Sequence, residues 1–148
     1  MLNINEIRNE FDKLINAGII RPSNSPYASP IVPVQKSDNS WRACGDYRLL
    51  NVQTKPDKYP LPRINDVLNR TAGCHVFSKL DLETAFHLIP VAKSDIPKTA
   101  VTTPFGLFEY LKMPYGLKNS AQTFQRHIDN VLRECRDFAF AYIDDILI

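Results

Sequence analysis

Residues 138–148 read FAFAYIDDILI, an apolar and β-prone run that two adjacent aspartates, Asp144 and Asp145, interrupt. Ionised carboxylates in such a setting are costly unless something pairs them. Two interpretations are open at this point. In the first, the aspartates form an ordinary turn between two strands, since Asp is a common turn residue. In the second, the turn presents both carboxylates to a divalent cation, whose charge removes their mutual repulsion.

A second strand-like segment also carries an aspartate. Residues 75–82, HVFSKLDL, predict a buried strand with Asp81 near its end. Alone, Asp81 would more often cap the helical turn predicted near residues 83–87. If Asp81 lies in one sheet beside Asp144 and Asp145, however, the three carboxylates form a cluster. Oxygen-only ligands favour hard cations, above all Mg²⁺, and such a cluster without His or Cys fits two-metal phosphoryl transfer.

The rest of the chain mixes helical and strand patterns irregularly, which predicts an α+β fold. Four prolines in residues 21–33 argue against a central strand there and favour an edge strand or a polyproline-like track. Other predicted elements are an amphipathic helix over 4–17, a hairpin over 31–46, a short helix after 59–62, strands over 98–103 and 107–112, and a helix over 121–135 capped by Ser120.

Composition excludes several classes of protein. The chain has 148 residues, 44% hydrophobic and 23% charged, which suits one domain or one and a part and excludes a disordered tail or coiled coil. The net charge of +2 is too small to indicate a nucleic-acid partner by itself. The charge is unevenly distributed, however, with a basic front over 13–70 and an acidic end over 129–148. No disulfide framework, zinc site, signal peptide or membrane span is expected.

Short motifs run in one order through nearly the whole chain. They are IIRPS (19–23), SPYASP (25–30), WR (41–42), DYR (46–48), LN (50–51), YPLPRI (59–64), FSKLDL (77–82), IPKTA (96–100), MPYGL (113–117), TFQ (123–125) and YIDD (142–145). In this order and spacing they resemble the reverse transcriptase of gypsy-type long-terminal-repeat retrotransposons, and more distantly retroviral reverse transcriptases.

The resemblance implies an α+β, right-hand polymerase fragment with fingers over roughly 19–75 and palm elements over 76–148, the palm being an antiparallel sheet backed by helices. The thumb, connection and RNase H of the family are absent from 1–148, and the remainder of a Pol polyprotein is expected downstream. The implied location is the cytoplasm, in virus-like particles, with no membrane association.

The implied activity is that of an RNA-directed DNA polymerase, which adds dNTPs to a primer 3′-OH on an RNA or DNA template using two Mg²⁺ ions, for which Mn²⁺ can substitute. Residues 1–148 alone are expected to show little or no processive synthesis. One alternative is a non-catalytic retroelement remnant that keeps the fold and some nucleic-acid binding. Another is an RNA-templated RNA polymerase, although those usually carry Gly-Asp-Asp and a polar sugar contact.

The resemblance also assigns roles to individual residues. Asp81, Asp144 and Asp145 match the catalytic, metal-binding aspartates, with the Leu82 carbonyl as a further possible ligand and Asp145 as the weaker direct ligand. The assigned dNTP contacts are Lys36, Arg42, Phe86, Tyr115 and Gly116, with Phe86 placed against the sugar. The assigned template and primer contacts are Arg21, Tyr27, Lys118, Gln125, Tyr142 and Ile143.

Overall fold

The computed structural model describes residues 4–35 and 41–148. Within that part of the chain, helices and mostly antiparallel strands alternate irregularly, which confirms the predicted α+β class. The chain divides into two compact units, Met1–Thr54 with Phe86–Lys118 and Lys55–Ala85 with Asn119–Ile148. The chain passes from one unit to the other three times, after Thr54, Ala85 and Lys118.

The helices and strands have the following bounds. The helices are α1 (Ile4–Asn16), α2 (Arg48–Gln53), α3 (Ile64–Arg70) and α4 (Ser120–Val131), with 3₁₀ turns at Ala85–Leu88, Ile96–Thr99 and Arg133–Cys135. The strands are β1 (Ile20–Pro22), β2 (Ser29–Gln35), β3 (Trp41–Gly45), β4 (Lys79–Asp81), β5 (Val101–Thr103), β6 (Gly106–Tyr110), β7 (Phe140–Tyr142) and β8 (Asp145–Leu147).

The first unit is built on a five-stranded sheet in the order β1-β6-β5-β2-β3. Antiparallel pairing of Ile20 with Tyr110 joins β1 to β6, which is why residues 86–118 belong with the beginning of the chain. Helix α1 buries its apolar stripe against this sheet through Ile7 and Phe11. The Phe11 ring lies 5.3 Å from that of Phe108, edge to face, a geometry that adds to the burial of both rings.

The predicted hairpin is confirmed, but the proline-rich strand lies elsewhere in the sheet than expected. Strands β2 and β3 pair antiparallel from Ile31↔Gly45 to Gln35↔Trp41. Contrary to the expected edge position, β2 lies between β5 and β3. It tolerates both prolines because each has a register partner on one side only, Pro30 on β5 and Pro33 on β3.

A close approach at the end of β3 explains a glycine in a buried strand. The Tyr47 ring is fully buried, and its hydroxyl donates to the Thr99 carbonyl at 2.8 Å. A Cβ atom built on Gly45 would lie 2.6 Å from Cζ of Tyr47. Gly45, which has no side chain, therefore leaves the space that the ring of Tyr47 fills.

The second unit contains a three-stranded sheet in the order β4-β8-β7. Helix α4 contacts β7 and buries Phe124 and Ile128. The predicted buried strand over 75–82 is wrong in both length and burial, since only Lys79–Asp81 is a strand and all three residues are exposed. Strand β4 is an edge strand of a small sheet, so its apolar side chains are not covered on both faces.

Two further points complete the fold. Ser120 is the first residue of α4 and is buried; Asn119 takes the N-cap position, so the predicted Ser120 cap is wrong by one residue. No helix among residues 4–35 and 41–148 is both long and apolar enough to cross a membrane.

Candidate active site

The two strands that carry the adjacent aspartates form a tight hairpin. Tyr142 pairs with Asp145, which leaves Ile143 and Asp144 as a two-residue turn. Ile143 has a φ of +54°, whereas Asp144 does not have positive φ, the pattern of a type II′ turn. Glycine usually takes that first position. A β-branched residue there is strained, so the turn must be held by its surroundings.

The same hairpin brings the third aspartate alongside. Strand β4 pairs antiparallel with β8, and Asp81 is the direct register partner of Asp145. Beyond that pair the Leu82 N–H donates to the Asp144 carbonyl at 3.2 Å. All three aspartates therefore lie at one end of the β4-β8-β7 sheet, and the predicted side-by-side arrangement is present in the backbone.

The carboxylates themselves do not converge. The Asp145 Oδ1 atom lies 3.0 Å from Nζ of Lys79, two residues before Asp81 on β4. The hydrogen bond and charge of Asp145, with smaller contributions from Asp81 and Asp144, raise the pKa of Lys79. Among residues 4–35 and 41–148, no three His, Cys, Asp or Glu side chains are gathered closely enough to hold a metal ion. The predicted three-carboxylate cluster is thus not formed by these rotamers, and an ammonium group offsets their repulsion instead.

A buried glutamine supports the turn from behind. Gln125 of α4 is completely buried, and its Oε1 atom accepts a hydrogen bond from the Ile143 N–H at 2.8 Å. Its Nε2 atom donates to the Ala141 carbonyl at 3.1 Å and to Asp129 Oδ1 at 2.9 Å. The predicted template contact of Gln125 is corrected by this burial, because a side chain with no exposed surface cannot touch a template strand.

In the first unit, three of the predicted nucleotide contacts lie together. The Arg42 guanidinium carbon is 4.4 Å above the centre of the Tyr115 ring, a cation–π contact. The Phe86 ring centre is 5.1 Å from that of Tyr115, and the His87 ring meets Tyr115 edge-on at 5.5 Å. Burial of His87, together with the charge of Arg42, lowers the pKa of that imidazole, which favours its neutral form.

The loop at Gly116 is held by a residue to which the sequence analysis gave no role. Asn51 Nδ2 donates to the Gly116 carbonyl, and Asn51 Oδ1 accepts from the Lys118 N–H, both at 2.8 Å. Gly116 has a φ of +90°, and a Cβ there would lie 3.3 Å from the Gly45 carbonyl oxygen, so glycine fits both the backbone and the space. Asn51 lies within α2, and its place in the LN motif (50–51) was the available signal for it.

The predicted template and primer contacts include cations that already have partners within the chain and tyrosines that are exposed. Lys118 Nζ donates to the Thr54 carbonyl at 2.9 Å, and Arg21 Nε donates to Glu109 Oε1 at 2.7 Å, so both cations already have intramolecular partners. Tyr27 and Tyr142 are exposed. The predicted phosphate contact Lys36 lies outside the described residues.

The Arg21 partner is itself unusual because Glu109 is buried in the first unit. Burial raises the pKa of Glu109, but hydrogen bonds from the Ser23 hydroxyl at 2.6 Å and from Arg21 outweigh burial and hold the pKa below its ordinary value. A buried carboxylate with two donors is a structural ion pair that fixes β1 against β6.

A small antiparallel sheet, backed by a helix and carrying aspartates at a hairpin turn and on the facing strand, is the architecture of a nucleic-acid polymerase palm. A model of the family described as "Reverse transcriptase (RNA-dependent DNA polymerase)" matches residues 34–148, and the chain belongs to that family. It is 45% identical, over 97% of its length, to the Retrovirus-related Pol polyprotein from transposon opus of Drosophila melanogaster. The chain spans 15% of that relative's length.

Solved structures agree in fold. The chain is similar to the protease-reverse transcriptase of prototype foamy virus, with a TM-score of 0.79 and 27% identity over 97% of this chain and 19% of the other. It is also similar to the foamy viral protease-reverse transcriptase solved with an RNA/DNA hybrid, with a TM-score of 0.79 and 26% identity over 93% and 18% of the two chains. The predicted resemblance to retrotransposon and retroviral reverse transcriptases is therefore confirmed.

Proposed function

We propose that this chain supplies the nucleotidyl-transfer residues of an RNA-directed DNA polymerase. The observation that carries the proposal is the register pairing of Asp81 with Asp145, next to a hairpin turn that exposes Asp144. A fold can host many functions, so the argument rests on these carboxylates and on membership of the reverse transcriptase family.

The donor chemistry fits two Mg²⁺ ions. Asp81, Asp144 and Asp145 offer only oxygen atoms, with the Leu82 carbonyl beside them, and hard cations prefer such donors. All three carboxylates already act electrostatically on one ammonium group, that of Lys79. We propose that Asp81 and Asp144 are the principal ligands. Asp145 is the weaker one because its carboxylate is paired with Lys79.

In nucleotidyl transfer, the two principal aspartates would hold the metal ions, and the residues of the turn would contact the primer. Bound Mg²⁺ would neutralise phosphate charge and lower the pKa of a primer 3′-hydroxyl. Asp81 and Asp144 would hold their orientation through the β4–β8 ladder and the hairpin turn, so that little reorganisation is needed. Ile143, at the turn, and the exposed Tyr142 are the proposed contacts to the primer end.

The deoxynucleotide contacts are proposed for the aromatic cluster of the first unit. Arg42 carries a guanidinium suited to phosphate oxygens, and its cation–π contact with Tyr115 restrains the side chain before a nucleotide binds. Phe86 presents a bulky ring that would exclude a ribose 2′-OH, which favours dNTPs. Gly116 allows a close backbone approach at the same loop, and Lys36 is proposed as a second phosphate contact.

The partners follow from the family and from the foamy viral structure with an RNA/DNA hybrid. We propose that this chain binds a primed RNA or DNA template through phosphate contacts, so that its affinity falls as salt rises. Exposed Tyr27 and the free donors of the Arg21 guanidinium are the proposed template contacts. Association with virus-like particles in the cytoplasm is proposed from its retrotransposon relatives.

Primer extension tests the proposal. We expect the chain, with a primed RNA template, dNTPs and Mg²⁺, to add one or a few nucleotides without processive synthesis. Asp144→Asn should abolish addition while leaving template binding intact, with the exposed Asp12→Asn on α1 as the matched control. Loss of activity in the control, or retention in Asp144→Asn, would contradict the assignment.

The second candidate is a non-catalytic remnant, which one observation favours. The Lys79 ammonium pairs with Asp145 and partly offsets the carboxylate charge, and among the described residues no three acidic, His or Cys side chains are gathered closely enough to hold a metal ion. A chain that binds primed template, adds no nucleotide and shows no stabilisation by Mg²⁺ would support this candidate over the polymerase.

A further inference from the structure

We infer that Gln125 is a positioning residue that holds the Ile143–Asp144 turn in its strained form and thereby sets the approach of Asp144. The effect on Asp144 rests on the proposed function. The clamp, by which we mean the two hydrogen bonds from Gln125 to the backbone of Ala141 and Ile143, is a property of the hairpin itself. Nothing in the family resemblance assigns this role to Gln125, which the sequence placed at the template.

The clamp works because β7 is an edge strand. In the order β4-β8-β7, no other strand of the described part of the chain lies beside the outer side of β7, so its outward backbone groups need other partners. The Gln125 carboxamide donates to the Ala141 carbonyl and accepts from the Ile143 N–H, two residues further along. One residue of a parallel ladder makes the same pair of bonds through its own N–H and C=O, so the side-chain amide takes the place of a residue on an adjacent strand.

The orientation of the amide is fixed by a third bond. Asp129, one helical turn further along α4, accepts from Gln125 Nε2 at 2.9 Å. Its other carboxylate oxygen accepts from the Tyr59 hydroxyl at 2.6 Å, an arrangement that raises the pKa of Tyr59. A flipped amide would place oxygen against oxygen at both Ala141 and Asp129, so only one orientation presents an acceptor to Ile143.

The clamp is strong because the group is completely buried. Every polar atom of the Gln125 side chain has a partner, and none is exposed to water. Removing the amide leaves the partly buried Ile143 N–H without this acceptor, at a backbone position with φ of +54° where an isoleucine has little intrinsic preference to remain. The turn then relaxes, and the Asp144 carboxylate is no longer held in one direction relative to Asp81.

The test replaces the amide by an apolar chain of similar length. Gln125→Met is compared with Gln122→Met, a matched change on the same helix at a side chain whose buried Oε1 has no hydrogen-bond partner. The first measurement is hydrogen exchange of the Ile143 amide by NMR. We expect exchange to rise about tenfold or more in Gln125→Met, the scale of one lost buried hydrogen bond, and to stay unchanged in Gln122→Met.

The second measurement is Mn²⁺ affinity, read from paramagnetic broadening of the Tyr142–Ile146 amides. We expect about a tenfold loss in Gln125→Met, and recovery of most of that loss when Ile143→Gly is added, because glycine needs no clamp at positive φ. Ile143 exchange within twofold of the parent would overturn the inference. Faster exchange with unchanged Mn²⁺ affinity would overturn the positioning role.

The two proposals can fail separately. If the parent chain does not bind Mn²⁺, the proposed metal site is wrong, and Ile143 exchange alone decides whether Gln125 clamps the turn. If Gln125→Met does not fold, Gln125→Asn gives the same comparison, since an amide shorter by one methylene no longer reaches Ile143. Retained protection of Ile143 in that variant would likewise overturn the inference.

Discussion

Asp81 and Asp145 are direct register partners across the antiparallel β4–β8 ladder. Like charges opposite each other in a ladder are destabilising, yet here the pair is only partly offset, by Lys79 on one side. A sheet that keeps this repulsion gives up stability, and in the proposed function it does so at the place where a dication would bind. The cost and the gain should be separable by experiment.

Replacing Asp81 by Asn should change stability in opposite directions with and without metal. In metal-free buffer we expect the melting temperature to rise by about 1–3 °C, because one of two facing charges is removed. In excess Mg²⁺ the parent chain should gain stability by ligand linkage, and the variant should gain little. Differential scanning calorimetry with and without Mg²⁺ measures both.

The matched control for that experiment is Asp12→Asn, which removes an exposed carboxylate from α1. It should leave both the metal-free melting temperature and the Mg²⁺ gain close to those of the parent. An Asp81→Asn chain that keeps the full Mg²⁺ gain would show that Asp81 is not a ligand.

Adding one methyl group at Gly45 should destabilise the first unit. The new Cβ would lie 2.6 Å from the buried ring of Tyr47, closer than packed atoms approach. We expect Gly45→Ala to lower the free energy of unfolding by about 1–3 kcal/mol, the usual range for overpacking. Urea denaturation measures the change.

A double-mutant cycle isolates the cause. In a Tyr47→Leu background the ring is gone, so Gly45→Ala should cost much less than it does in the parent chain. An equal loss of unfolding free energy in the two backgrounds would mean that Gly45→Ala acts through the backbone and not through a clash with the Tyr47 ring.

Local signals were sufficient for the elements whose pattern matches their environment. Helix α1 has an apolar stripe at helical spacing and packs on a sheet, and the paired strands β2 and β3 have strand-forming residues on both sides of the polar sequence KSDNS (36–40). In such elements propensity, burial and chain connection agree, so the sequence alone predicts them.

Other features depend on what lies across the fold. The burial of residues 75–82 could not be read from their apolar side chains, because it depends on how many strands flank β4. The role of Gln125 could not be predicted either, because a glutamine in a helix sequence is equally consistent with an exposed side chain and with a buried one. The sequence predicts that the three aspartates lie side by side, as the backbone register has them, whereas the Lys79 partner of Asp145 could be identified only from the β4–β8 pairing.

Truncating Phe86 should relax the choice of sugar. In the proposed site its ring excludes the 2′-OH, and loss of such a steric contact changes discrimination by about 10- to 200-fold. We expect Phe86→Ala to raise the ratio of rNTP to dNTP incorporation within that range while Mg²⁺ binding is unchanged. Single-nucleotide primer extension gives the ratio, and Phe86→Tyr, which keeps the ring, should stay near the parent value.

The Arg21–Glu109 pair should make the free energy of unfolding fall at acidic pH. The pKa of Glu109 is lower in the folded chain than its ordinary value of 4.5, because hydrogen bonds from Ser23 and Arg21 outweigh the opposing effect of burial. A group whose folded pKa is lowered contributes stability that is fully present above the unfolded pKa. That contribution is lost as the pH falls below about 4.5 and through the folded value.

Urea midpoints at pH 7 and pH 3 should therefore differ less in Glu109→Gln than in the parent chain, whereas Glu6→Gln, at an exposed site on α1, should keep the parent difference. An acid-induced loss of the same size in Glu109→Gln would mean that other carboxylates, and not this buried one, govern the acid stability of the chain.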